Sequence, residues 1–130
     1  MDPDPYEEPT RRMLLSALRW IASEPADTIA GLTFSDGTGR VPPSEVALTL
    51  EDAWIPVRDY RRFTPEIRSS VQALYDVLAA DEPEAWTDAA IATHPMWADA
   101  RARARALLDA LGEPQPVGPY RDHLYPHLRG

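Results

Sequence analysis

Cysteine and lysine are both missing from this 130-residue chain. Without a thiol there is no disulfide, no thiolate nucleophile, no redox pair and no Cys-rich zinc site. Without lysine, all 13 basic residues are arginine, set against 21 Asp and Glu for a formal net charge of -8. Arginine and alanine in place of lysine is what codon choice in a GC-rich genome imposes; salt adaptation and a need for guanidinium forks at a binding surface are the functional alternatives. An acidic chain with no basic face is ill suited to wrapping nucleic acid or lying on an anionic membrane, since both draw affinity from clustered cations. No apolar run approaches the roughly 20 residues of a membrane span. The start of the chain, with Asp2, Pro3, Asp4 and Pro5, is acidic and proline-broken where a signal peptide is basic and then apolar. These exclusions lead to the expectation of a cytoplasmic protein with no cofactor, and with neither nucleic acid nor membrane as partner.

Strong core formers are scarce as well. Leu, Ile, Val and Phe make up 26 residues, a fifth of the chain, against 19 alanines and 14 prolines. That fraction sits at the edge of what builds a core, and the length fits one ordinary domain. Residues 1–9 carry four carboxylates and three prolines and read as a flexible acidic arm. Residues 10–112 read as a helical domain and 113–130 as an extended proline-rich tail.

Within the domain, Arg11 to Ala22 carries a wide apolar arc with Arg12, Ser16 and Arg19 as its polar stripe, and Thr10 as N-cap. Pro25 stops it. Thr28 to Phe34 leans towards a strand, and Ser35 to Gly39 is turn chemistry, so a small hairpin around residues 28–41 is expected. Val46 to Leu50 alternates like a strand, but a helix from Ser44 to Trp54 with Ser44 as N-cap is favoured, because a cap has a mechanism. Thr64-Pro65-Glu66 is the clearest start signal, with a helix to about Ala80 following it. Residues 84–93 form a short helical piece. Thr93-His94-Pro95 opens the last long helix, which Gly112 ends as a left-handed cap. Its buried stripe is Trp97, Ala100, Ala104, Leu107, Leu108 and Leu111, with Ala102, Ala106 and Ala110 along its back. The resulting expectation is a mainly α fold, a single domain of four to five helices, with room for one small β-hairpin.

No stretch forms a catalytic fingerprint. Asp36-Gly37-Thr38-Gly39 lacks the lysine of a phosphate loop and reads as a turn. Asp122, His123 and His127 have the spacing of a metal fragment, but Pro126 interrupts the helical turn that sharing one ion requires, so no metal is expected. Arg121 and His127 resemble the arginine–histidine spacing of some helical RNA-cleaving toxins, in pairs that sit within an unbroken helix.

Charge falls in blocks, with -4 over residues 2–8 and -5 over residues 76–88, while arginines gather on the helices. One group stands out. Trp54, Arg58, Tyr60, Arg61, Arg62 and Phe63 bring aromatics and arginines together, which protein interfaces favour at their hot spots. The expected function is therefore a non-catalytic protein–protein interaction: an acidic adaptor, regulator or inhibitor-like partner that docks another protein through these six residues and also forms a homo-oligomer. Two alternatives stand beside it. One is a small enzyme or ligand-binding protein with a pocket between helices, using His94 or the His123/His127 pair; the other is an acidic DNA mimic.

Overall fold

Proline opens helices in this chain. The computed structural model describes residues 7–33, 37–55, 58 and 63–119, with residues 7, 8 and 10 described by their backbone alone. Among these are six α-helices: α1 (Glu7–Ala22), α2 (Pro25–Ala30), α3 (Ser44–Trp54), α4 (Pro65–Leu78), α5 (Asp88–Thr93) and α6 (Pro95–Ala110), with a 3-10 turn at Pro83–Ala85. Pro25, Pro65, Pro83 and Pro95 stand in the first turns of these elements. There a missing N–H costs nothing, because the first donors of a helix have no carbonyl to reach. The mainly α expectation holds, and the helix number exceeds four to five because α2 lies where the pattern places a strand; α5 falls inside the expected helical piece 84–93 but starts later. Both short helices have a local cause.

α2 is the first of these. Thr28 and Ile29 favour strands by propensity, yet both are helical. The reason is Trp20: its indole N–H donates to Thr28 O at 3.0 Å, and Thr28 Oγ1 donates back to Trp20 O at 3.1 Å, both out of water. A reciprocal buried pair outweighs a propensity difference of a few tenths of a kcal/mol. The expected hairpin shrinks, among the described residues, to one antiparallel bridge between Thr33 and Arg40, with Val41 N donating to Leu32 O at 2.7 Å. Phe34, Ser35 and Asp36 lie outside the described residues.

The second is α5. Thr87 interrupts residues 84–93 in an extended conformation, and its Oγ1 accepts the Ala90 amide at 3.1 Å, so a new helix starts there. α1 differs at its beginning: it starts at Glu7, inside the stretch expected as an arm and ahead of the expected cap Thr10, because Pro9 falls in a first turn that tolerates it. Ser16, expected on the polar stripe, is only 3% exposed. α3 is helical as favoured, but not for the reason given. Ser44 is its first helical residue, Pro43 holds the cap position, and no side chain caps it.

Two helix ends match the sequence signals. Thr64 Oγ1 accepts Ile67 N at 3.2 Å at the start of α4. α6 ends in a Schellman motif: Gly112 has φ +71, Gly112 N donates to Asp109 O at 3.0 Å, and Glu113 N donates to Leu108 O at 2.9 Å. α6 is the shared element of the fold, packed against α1, α4 and α5, with α3 bridging α1 and α4. It buries Trp97, Ala100, Ala104, Leu107 and Leu108, and its alanine back, Ala102, Ala106 and Ala110, is exposed.

Two arginines of α6 close the end of α1. Arg101 Nε donates to Ser23 O at 3.2 Å while its Nη2 donates to Ile91 O at 3.0 Å; Arg105 Nε donates to Ala22 O at 2.9 Å and its Nη2 to Glu24 Oε1 at 2.9 Å. These are carbonyls that a helix leaves open at its C-terminus. Burial holds the Arg101 guanidinium below its usual range, with Arg105 adding to the shift and Glu24 opposing it. Arg103, in contrast, meets Asp99 at 2.9 Å in solvent. Arg101→Ala is expected to lower stability by about 1–3 kcal/mol, and Arg103→Ala by under about 0.5 kcal/mol. Equal midpoints for the two variants in urea unfolding would contradict this assignment.

Candidate functional site

The six residues expected to contact a partner do not all reach the surface. Trp54 is 2% exposed at the end of α3. Its indole N–H donates to Gln72 Oε1 at 2.9 Å, and Gln72 Nε2 donates to Asp76 Oδ1 at 2.9 Å, so it clips α3 to α4. Phe63 is half-buried against the core. Arg58 is exposed, and its amide donates to Trp54 O at 3.0 Å. Tyr60, Arg61 and Arg62 lie outside the described residues, as do His123 and His127. Beside Arg58, Tyr75 Oη lies 3.4 Å from Glu51 Oε1, and the Glu51 charge pushes the phenol above its ordinary range while Arg58 pulls it down.

His94 sits elsewhere, at the joint between α5 and α6. Its amide donates to Ala90 O at 2.7 Å, and its Nδ1 accepts Met96 N at 3.0 Å, which makes it the N-cap of α6. An acceptor Nδ1 fixes the tautomer: the neutral ring carries its proton on Nε2. That nitrogen faces Glu84 Oε1 at 3.6 Å and Glu82 Oε2 at 3.8 Å. Trp97 ties the 83–85 turn to α6, its indole N–H donating to Ala85 O at 2.7 Å, and Trp86 meets it edge-on with centroids 5.7 Å apart.

Glu82, Glu84 and His94 bring three ligand atoms within 4.8 Å of one another, the spacing of a metal site. The ring's hydrogen bonding decides against it. A cation on Nε2 needs the lone pair there and the proton on Nδ1, where it would point at the Met96 N–H. Metal and cap exclude each other, so the ring as it stands is a cap and not a ligand. The two carboxyls are set apart by the contact between them. Sharing a hydrogen bond with Glu84 raises Glu82 above the usual carboxylate range, whereas Glu84 is lowered, by its own backbone N–H first and by Glu82 second. The sequence marks His94 as a candidate for chemistry; that its ring is spent on a cap depends on χ angles that no spacing encodes.

The pattern also leaves unmarked a groove between α4 and α6. It encloses about 400 Å³. Ser69, Ser70 and Ala73 of α4 form one wall, Arg103, Ala106 and Ala110 of α6 the other, and buried Leu107 the floor. Small side chains on both walls leave the two backbones approachable. The alanine back of α6 is its only trace in the sequence.

No protein-family model matches the chain, and no match was found among curated proteins or solved structures.

Because Glu82 binds its proton more tightly in the folded chain, its contribution to stability is greatest below the unfolded carboxylate range and is lost as pH rises through the raised value. Glu82→Gln is therefore expected to raise the melting temperature near pH 7 and to leave it unchanged near pH 4. A variant less stable than the parent near pH 7 would show that the carboxylate is wanted charged.

Proposed function

We propose that this chain is a non-catalytic docking protein, an acidic adaptor or regulator that receives a helix of a protein partner in the groove between α4 and α6. The small-residue lining of that groove carries the reading. Helices pack by setting ridges of one into grooves of another, and Ala73, Ala106 and Ala110 offer a groove already formed between two helices of the same fold. An amphipathic helix with a row of larger apolar side chains fits such a seat. Arg103 stands at the rim beside Asp99, offering one charge of each sign to fix register. The Arg58 to Phe63 stretch precedes Thr64, the cap of α4, in the chain, and its arginines and aromatics are residue types that interfaces favour. The acidic balance of the chain favours a basic partner surface and faster encounter at low salt.

A photo-crosslinking residue at position 106 in the native cell identifies what occupies the groove, and binding of the purified partner then tests the seat. Ala106→Trp fills the groove from an exposed position, so it is expected to leave the melting temperature in place while weakening binding at least tenfold, about 1.4 kcal/mol. Arg61→Ala and Tyr60→Ala test the adjoining stretch in the same assay. Unchanged affinity in all three variants removes the reading, and so does a partner that crosslinks equally well from a position on α3.

A further inference from the structure

We infer that His94 is a two-position proton switch: neutral, it caps α6; protonated, it leaves the cap and pairs with Glu82 and Glu84. This is independent of the docking reading. The neutral ring serves the cap, and a charged ring cannot. Met96 N–H requires a lone pair on Nδ1 at 3.0 Å. The carboxylates at 3.6 and 3.8 Å from Nε2 make only long contacts with the neutral ring, and become full ionic partners once the ring is charged. A proton added to the imidazole converts Nδ1 from acceptor to donor, so the Met96 amide faces another N–H. The charge also lies at the positive end of α6, which repels it, while Glu82 and Glu84 draw it a few tenths of an ångström to a bonded distance.

The surroundings leave those two carboxylates as the partners. On the same turn, Asp81 adds negative charge near Glu82. On α5, Asp88 is held by Arg40 at 2.8 Å. On α6, Asp99 is held by Arg103 and Arg101 by backbone carbonyls. The switch acts on a joint. His94 is the C-cap of α5 and the N-cap of α6 at once, and the buried Met96 and Trp97 follow it after Pro95. Withdrawing the ring frees the first turn of α6 on the side where Trp97 anchors the 83–85 turn.

Nitrogen-15 spectra of the full chain, recorded as the pH is lowered from about 8 to about 5, test this. At the upper end the ring nitrogens should report Nε2–H with unprotonated Nδ1. As the ring titrates, the Met96 amide proton should move upfield in step with it, and its protection from exchange, corrected for intrinsic rates, should fall about fivefold, the loss of one cap. His94→Asn supplies a cap that does not titrate, and should abolish the Met96 response. Should that variant fail to fold, Glu82→Gln with Glu84→Gln serves instead: the Met96 amide keeps its high-pH position, and the ring's titration moves to lower pH. A ring protonated on Nδ1 at the upper end, or a Met96 amide indifferent to the titration of His94, overturns the inference.

Discussion

The hold of Arg101 and Arg105 on the end of α1 is the contact around which the rest of the fold is arranged. α1 must stop at Ala22 because Pro25 begins a new helix three residues on. Stopping there leaves carbonyls facing inward, where water cannot serve them, and the cost of such orphans is comparable to the whole gain from a buried side chain. α6 runs antiparallel to α1 and answers with two guanidinium groups. Arg101 reaches Ser23 with one nitrogen and Ile91 with another, joining α1, α5 and α6 through one side chain. An ammonium could satisfy one of these directions but not hold a planar fork across both. Whatever made this chain lysine-free, at Arg101 the structure makes use of the difference.

Tryptophan plays the corresponding role between neighbours in the chain. Trp20 clips α1 to α2, Trp54 clips α3 to α4, and Trp97 clips the 83–85 turn to α6, each through its indole N–H. With a fifth of the residues drawn from Leu, Ile, Val and Phe, the core leans on these large rings for area and on their single donors for direction. Among the described residues no aromatic side chain is exposed: Trp20, Trp54 and Trp97 are buried, and Phe63, Tyr75 and Trp86 partly so.

The sequence showed the parts whose signals are local. Thr64-Pro65-Glu66 and Gly112 announced their helix ends because a cap is a short-range bond. The apolar stripes of α4 and α6 followed from period alone. α2 was hidden because Thr28 and Ile29 argue for a strand until Trp20 is seen to fold back on them. The break at Thr87 was hidden because alanines on either side of it carry a helical pattern without pause. The groove was hidden for a different reason: it belongs to neither helix, and arises from the gap between Ser69, Ala73, Ala106 and Ala110 when α4 and α6 meet. His94 lay between these cases, visible as a residue with chemistry, silent about which nitrogen would be engaged.

Glu113 gives the first and last helices a common fastening. Its carboxylate meets Arg11 at 3.1 Å and Arg19 at 3.3 Å, and the left-handed turn at Gly112 aims it there. The two arginines stand eight residues apart on α1, so one acidic side chain bridges more than two helical turns. Tension applied through opposite ends of the chain would reach this seam between α1 and α6 before any other helix pair. The load would be shared by these two ion pairs, which use one carboxylate, and by the Arg101 and Arg105 bonds farther along the same seam.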